Sequence, residues 1–244
     1  MGLLDKIAMQ VAEKGMPIYE KVKARAPATE ILDEMMKQAD KAMGPFYKAI
    51  ESEGSPDEQI EEMGLGRKNR NAKKILVAYY TKHGSTSSIG QAIAHQLADL
   101  GFRVDLRPVI DLMGEDLSGY DAYVLGSAIY WAALKETFVK FVEAHSETLQ
   151  QKPCALFAVC GTIQRDSEKN RKAVNKYIGN SLSLVPEFKP FDIAVFPGKI
   201  EYSKMTKPEA MIMRAIIAIS PLKSGDQRDM AKVRRWVNGI KDQL

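Results

Sequence analysis

Cysteine is scarce in this chain: Cys154 and Cys160 are the only two in 244 residues, and they stand at opposite ends of one apolar run. Held in an extended strand, they would lie about 20 Å apart, far beyond disulfide reach. A reducing compartment is compatible with that arrangement. Histidine is nearly as rare, with only His83, His95 and His145. Without an HExxH motif or a repeated CxxC, nothing supports a metal or iron–sulfur centre. No G-x-S-x-G elbow points to acyl transfer. Neither the GxxxxGK[ST] phosphate loop nor the GxGxxG dinucleotide fingerprint occurs. No secretory segment or apolar stretch of about 20 residues appears, so a cytoplasmic location is expected. Lys6 stands where a myristoylation signal needs Ser or Thr. Nor is there a compact Lys/Arg stripe with interleaved aromatics, and no nucleic acid is expected as a partner.

Charge of one sign is also modest. The net charge is +4, with 11 Lys/Arg against 13 Asp/Glu in residues 1–72 and 24 against 18 in residues 73–244. The surplus in the second part reads first as ordinary surface charge, and it is compatible with an anionic ligand or anionic lipid.

With 45% hydrophobic residues, the chain can bury a substantial core. Residues 1–50 read as a helical extension. Leu3, Leu4, Ile7, Ala8 and Val11 share one apolar face, as do Ile31, Leu32, Met35, Met36 and Ala39, while Pro17, Pro27 and Pro45 punctuate the helices. These faces need a partner, whether the main domain, a second subunit in a homo-oligomer or a membrane surface. Residues 51–72 are polar and charged and read as a linker.

From residue 73 the pattern alternates. Apolar runs at 75–80, 121–126, 154–160 and 191–196, with a shorter one at 103–106, read as buried parallel strands. Helices are expected at 86–100, 134–149, 168–181 and 227–242. This rhythm predicts an α/β fold, a doubly wound parallel sheet with helices on both faces and ligands at the carboxyl ends of the strands.

The run Ile75–Tyr80 opens directly into Thr81-Lys82-His83-Gly84-Ser85-Thr86. If a helix begins near Ser85, its N-terminal amides and the hydroxyls of Thr81, Ser85 and Thr86 form a concave nest for a phosphate, and Gly84 permits close backbone approach. Lys82 and His83 either add charge there or face solvent.

Tyr80-Thr81-Lys82-His83-Gly84-Ser85-Thr86 resembles the phosphate loop of the flavodoxin family, and within it the branch of menaquinone-dependent protoporphyrinogen dehydrogenases. The likeness continues through Gly126-Ser127-Ala128-Ile129-Tyr130, Gly198-Lys199-Ile200-Glu201-Tyr202 and Gly225-Asp226-Gln227-Arg228-Asp229. One departure is His83, where standard flavodoxins often carry Thr. The resemblance implies a flavodoxin-like five-stranded sheet of order 2-1-3-4-5 over residues 73–244 and FMN as cofactor. It implies two further loops around the flavin ring: Ser127, Ala128, Ile129, Tyr130, Trp131, Ala132 and Ala133, then Cys160, Gly161, Thr162, Ile163, Gln164, Arg165 and Asp166. Tyr130 or Trp131 would cover a flavin face; alternatively Trp131 caps the apolar sheet edge. Cys160 reads as a strand-end core residue, since no thiol-activating pair lies beside it.

Thr206-Lys207-Pro208-Glu209 has capping-box spacing and introduces an apolar helix through Ile219, interrupted only by Arg214. The helix is too short to span a bilayer and is expected to pack in the protein or dip into an interface. The resemblance associates this region with membrane attachment or substrate access, which implies peripheral contact with the inner face of the cell membrane. The function it implies is an FMN-dependent oxidoreductase, taking electrons from a small-molecule or protein donor and passing them to a quinone acceptor. Two alternatives stand beside it: a flavodoxin-type electron carrier, and a flavodoxin-fold binding or assembly module that has lost FMN. No residue is singled out as a catalytic acid, base or nucleophile.

Overall fold

Five consecutive residues of the first strand, β1 (Lys74–Tyr80), are buried, Ile75 to Tyr79. That follows from a strand paired on both sides and covered on both faces. A computed structural model describes residues 72–220 and 222–244. The expected extension over 1–50 and the linker up to residue 71 lie outside the described residues.

β1 pairs in parallel with β2 (Arg103–Pro108), from Lys74↔Arg103 to Tyr79↔Pro108, and with β3 (Ala122–Tyr130), from Ile75↔Ala122 to Tyr80↔Ser127. A two-residue β4 (Ala133–Leu134) folds back antiparallel on β3. Beyond β3 the sheet continues in parallel with β5 (Cys154–Val159) and β6 (Asp192–Phe196). The order is β2-β1-β3-β5-β6, which is the expected 2-1-3-4-5 once the small β4 is set aside.

Alternation along the strands feeds two cores. Leu76, Ala78, Leu125 and Leu156 point to one face, where the helices Glu136–Ala144 and Glu168–Leu182 contribute Phe138, Phe141, Val174 and Ile178. Ile75, Val77, Tyr79 and Phe157 point to the other, covered by Ile89, Ile93 and Leu97 of the helix Ser85–Asp99 and by Val233, Val237 and Ile240 of the helix Met230–Ile240.

Two helices depart from expectation. The helix expected over 134–149 is broken at His145, whose backbone (φ −109°, ψ 14°) separates Glu136–Ala144 from Ser146–Gln150. The buried His145 ring explains the break: Nε2 donates to the Leu112 carbonyl oxygen at 2.9 Å, and the ring packs 4.8 Å from that of Phe141. The last helix starts at Met230 rather than near 227. Asp226 is taken into a small antiparallel pair, β7 (Lys199–Ile200) with β8 (Gly225–Asp226), and Asp229 caps the helix by accepting from Lys232 N–H at 2.8 Å.

Between β7 and β8 lies Tyr202–Pro221, which belongs to a different compact unit from the one that holds the sheet, Gln59–Glu201 with Leu222–Leu244. Within it the helix Lys207–Ile219 carries the expected capping box: Thr206 N–H donates to Glu209 Oε2 at 2.9 Å, and the Thr206 side chain accepts from Glu209 N–H. Arg214 stacks 5.0 Å from the ring centroid of Tyr202.

Candidate functional site

In this strand order the chain leaves β1 toward β2 on one side and returns to β3 on the other. A crevice therefore opens above the carboxyl ends of β1 and β3, the usual ligand position in such sheets. The loop following β1 fills it. Gly84 adopts φ 81°, a left-handed conformation that side chains resist, and it caps the helix Ser85–Asp99. Its N–H donates to Thr81 Oγ1 at 3.0 Å, closing the loop into a tight turn.

The first intrahelical bond runs from Ser88 N–H to the Gly84 carbonyl oxygen at 3.0 Å. The amides of Ser85, Thr86 and Ser87 have no acceptor among the described residues. Three convergent donors at the positive end of a 15-residue helix make a site for a dianion. Thr86 is buried directly behind them, and its hydroxyl has no partner among the described residues. Lys82 and His83 are half-buried in the same turn.

The Ser85 hydroxyl does not match its expected role. It donates to the Lys199 carbonyl oxygen at 2.9 Å and accepts from Lys199 N–H at 3.0 Å, so it holds β7 in place of an anion. Only the Ser85 amide remains for the nest.

The second expected loop, 127–133, is mostly strand. β3 runs through Tyr130, and the turn consists of Trp131 and Ala132 alone, at φ 51° and 62°. Two consecutive left-handed residues define a type I′ hairpin turn, normally the territory of Asn and Gly. Ser127 and Ala128 are buried in β3. The Ser127 hydroxyl is committed to backbone, donating to the Ala128 carbonyl oxygen at 3.0 Å and accepting from Lys135 N–H at 3.3 Å. Ile129, Tyr130, Trp131 and Ala132 are half-buried at the tip, and Ala133 is exposed. The hairpin meets the phosphate loop through rings: His83 and Tyr130 lie edge to face, centroids 6.0 Å apart and planes at 70°. Lys135 Nζ stands 5.9 Å from the Tyr80 ring centroid. Lys135 was not singled out from the sequence, where nothing distinguishes it from any helix-leading lysine.

The third segment begins with Cys160, buried and extended, its N–H donating to the Phe196 carbonyl oxygen at 3.0 Å. Burial pushes its thiol up, against hydrogen bonds from Thr162 and Ile163 that pull the other way. It is a core residue, as expected. Gly161–Gln164 forms a single 3-10 turn, in which Ile163 is buried while Gly161 and Thr162 are half-exposed. Asn170 Nδ2 steadies this turn by donating to the carbonyl oxygens of Thr162 at 3.0 Å and Arg165 at 2.7 Å. Asp166 faces Arg171 in a two-pronged pair at 2.5 and 2.9 Å, which holds its carboxyl below the usual range. Arg165 is exposed.

Gln164 grips the returning chain: its Nε2 donates to the Lys223 carbonyl oxygen at 3.1 Å, and its Oε1 accepts from Lys223 N–H at 2.8 Å. At the end of β8, Asp226 meets Arg228 two residues on at 2.5 Å, and its carboxyl is lowered to about 2 by that guanidinium.

One end of the sheet thus carries an unspent amide nest flanked by an aromatic hairpin and a third strand-end turn. The amides left free among the described residues at the start of the helix Ser85–Asp99 are donors that suit the dianionic phosphate of FMN.

A flavodoxin domain profile matches residues 76–226, from β1 to β8. The chain belongs to the flavodoxin family, and FMN is its cofactor. Among curated relatives it is 26% identical over 147 residues to protoporphyrinogen IX dehydrogenase [quinone] of Escherichia coli K12, covering 60% of this chain and 80% of that one. It is 28% identical over 171 residues to the protein of the same name from Leishmania major, covering 68% and 73%. Among solved structures, oxidised Flavodoxin 1 of Bacillus cereus aligns with a TM-score of 0.44 at 15% identity, over 70% of this chain and 99% of that one.

Proposed function

We propose that this protein is an FMN-dependent dehydrogenase that passes electrons to a quinone, with a protoporphyrinogen-like compound as donor. The observation that carries the reading is the alignment with two protoporphyrinogen IX dehydrogenases [quinone], each over more than half of this chain. When bound, FMN supplies the acceptance and release of hydride or electrons. The chain's own residues bind and orient it. In this reading the amides of Ser85, Thr86 and Ser87 and the hydroxyls of Thr81 and Thr86 hold the phosphate. The hairpin tip from Ile129 to Ala133 lines one side of the ring, and the turn Gly161–Asp166 lines the other.

A hydrophobic acceptor is further supported by the helix Lys207–Ile219. It exposes Met211, Ala215 and Ala218 along one stripe beside Arg214. Such a surface suits a quinone at the inner face of a membrane. No helix among the described residues is long and apolar enough to cross one.

The test is an absorption spectrum of gently purified protein, mass identification of the released cofactor, and anaerobic turnover of protoporphyrinogen IX with a soluble menaquinone analogue. Flavin in the spectrum together with quinone-dependent porphyrin formation supports the reading. Bound FMN without such turnover, but with rapid one-electron exchange with a protein partner, turns it into a carrier. Absence of flavin and of any FMN affinity after reconstitution sinks both.

A further inference from the structure

We propose that Ser85 and Gln164 are positioning residues that lock the Tyr202–Pro221 unit's two tethers to the FMN site, so that cofactor binding and ordering of the tethers favour one another. The inference rests on the FMN reading above and adds a regulation to it.

The outgoing tether, Gly198 to Glu201, is held by the Ser85 hydroxyl, which bonds Lys199 through both its carbonyl oxygen and its N–H. Close approach is possible there because residue 198 is glycine: a Cβ would stand 2.9 Å from Val159 Cγ1 and 3.4 Å from Ser85 Cβ. The returning tether is held in the same two-bond manner by the Gln164 side chain on Lys223. Its neighbour Leu222 packs over Gly161, with Cδ2 3.6 Å from where a Cβ would sit. Each tether therefore ends on a different flavin segment, one at the phosphate nest and one at the ring-side turn.

The backbone pairing between the tethers is short. β7 and β8 are two residues each, with a further bond from Gln227 N–H to the Gly198 carbonyl oxygen at 3.3 Å and charge attraction of Lys199 for Asp226 and of Glu201 for Arg228. An isolated pair of that length is not stable by itself. The side chains of Ser85 and Gln164 hold it closed, and these sit at the first residue of the helix Ser85–Asp99 and in the 3-10 turn Gly161–Gln164, two segments whose freedom is reduced when a phosphate and a ring are bound. Linkage makes the effect mutual: whatever binds to and orders the excursion raises FMN affinity by the factor by which FMN favours the ordered tethers.

The test compares amide hydrogen exchange of the full chain with and without saturating FMN, in wild type and in the single variants Ser85→Ala, Ser85→Thr, Gln164→Ala and Gln164→Glu. In wild type, FMN should slow exchange at 199–201 and 222–227 by roughly tenfold, the scale of one or two hydrogen bonds. In Gln164→Ala, with FMN raised until the bound-flavin spectrum saturates, that protection should vanish from 222–227. In Ser85→Ala it should vanish from 199–201. Ser85→Thr, which keeps the hydroxyl, should restore protection, and Gln164→Glu, which keeps only the acceptor, should restore it in part. Bound FMN with no change at either tether in wild type overturns the inference and leaves the FMN reading intact. Equal FMN-dependent protection in wild type and both alanine variants also overturns it. Failure of wild type to bind FMN removes the parent reading, and the inference falls with it.

Discussion

The Phe157 ring occupies the space where a side chain on Gly126 would have to stand: a Cβ built on Gly126 lies 2.0 Å from Phe157 Cζ. The two residues are register partners on β3 and β5, and the ring also lies 3.7 Å from where a Cβ on Gly90 would sit, beneath the phosphate-loop helix. Gly126→Ala should therefore destabilise the fold by about 1–3 kcal/mol through overpacking. Urea unfolding measures this, and the same substitution should cost less in a Phe157→Leu background. Equal costs in both backgrounds would show that the ring is not the obstacle.

Thr81 and Thr86 flank Gly84 in the loop and the first helical turn, with different obligations. The Thr81 oxygen already accepts from Gly84 N–H, whereas the Thr86 hydroxyl has no partner among the described residues. Thr86→Val is expected to weaken FMN binding by roughly tenfold or more, the scale of a hydrogen bond to a charged group, with the fold preserved. Thr81→Val should weaken it as well and loosen the turn. Fluorescence titration with FMN, alongside circular dichroism, reads both. Unchanged affinity in the single variants and the double variant removes these hydroxyls from the phosphate site.

The turn Trp131-Ala132 holds two side-chain-bearing residues at positive φ, each costing about 1–2 kcal/mol relative to a relaxed backbone. Ala132→Gly should relieve one of them and raise thermal stability by about 1 kcal/mol. Trp131→Ala addresses the other question. A change in the bound flavin's fluorescence or reduction potential places the indole against the ring, and no change in either returns it to capping the hairpin.

The Asp226 carboxyl is lowered to about 2 by Arg228. Its folded pKa lies below the usual value near 4, so its contribution to stability is complete above about pH 4 and is lost as pH falls through about 2. A carboxyl carbon shift titration should show a midpoint near 2 in wild type and one near 4 in Arg228→Gln. A wild-type midpoint near 4 would mean that the pair does not form in solution.

Burial raises the thiols of Cys154 and Cys160 above their ordinary range. Neither should react with a disulfide reagent at pH 8 in the native protein, and both should react in denaturant. Rapid native labelling of Cys160 would show that the third segment opens.

Much of the fold was legible because its signals are local. The buried run Ile75–Tyr79, the Thr206–Glu209 capping box and the glycine before Ser85 depend on neighbours within a few residues, and the structure has each where the sequence places it. The break at His145 was not legible, because its cause is Leu112, a carbonyl contributed from 33 residues away. The strand character of 127–130 was missed for a similar reason: β4 pairs back on β3 through a turn that lacks the usual Asn or Gly.

The sequence by itself determined the alternation of strand and helix and the placing of an anion nest after the first strand, since both follow from hydrophobic period and from the helix that starts at Ser85. Only the tertiary structure decided which polar side chains remain for a cofactor. Ser85 spends its hydroxyl on Lys199, 114 residues on, and Gln164 spends its amide on Lys223, 59 residues on. A short polar side chain takes whichever partner the fold brings within about 3 Å, and that choice is made by the packing of distant segments.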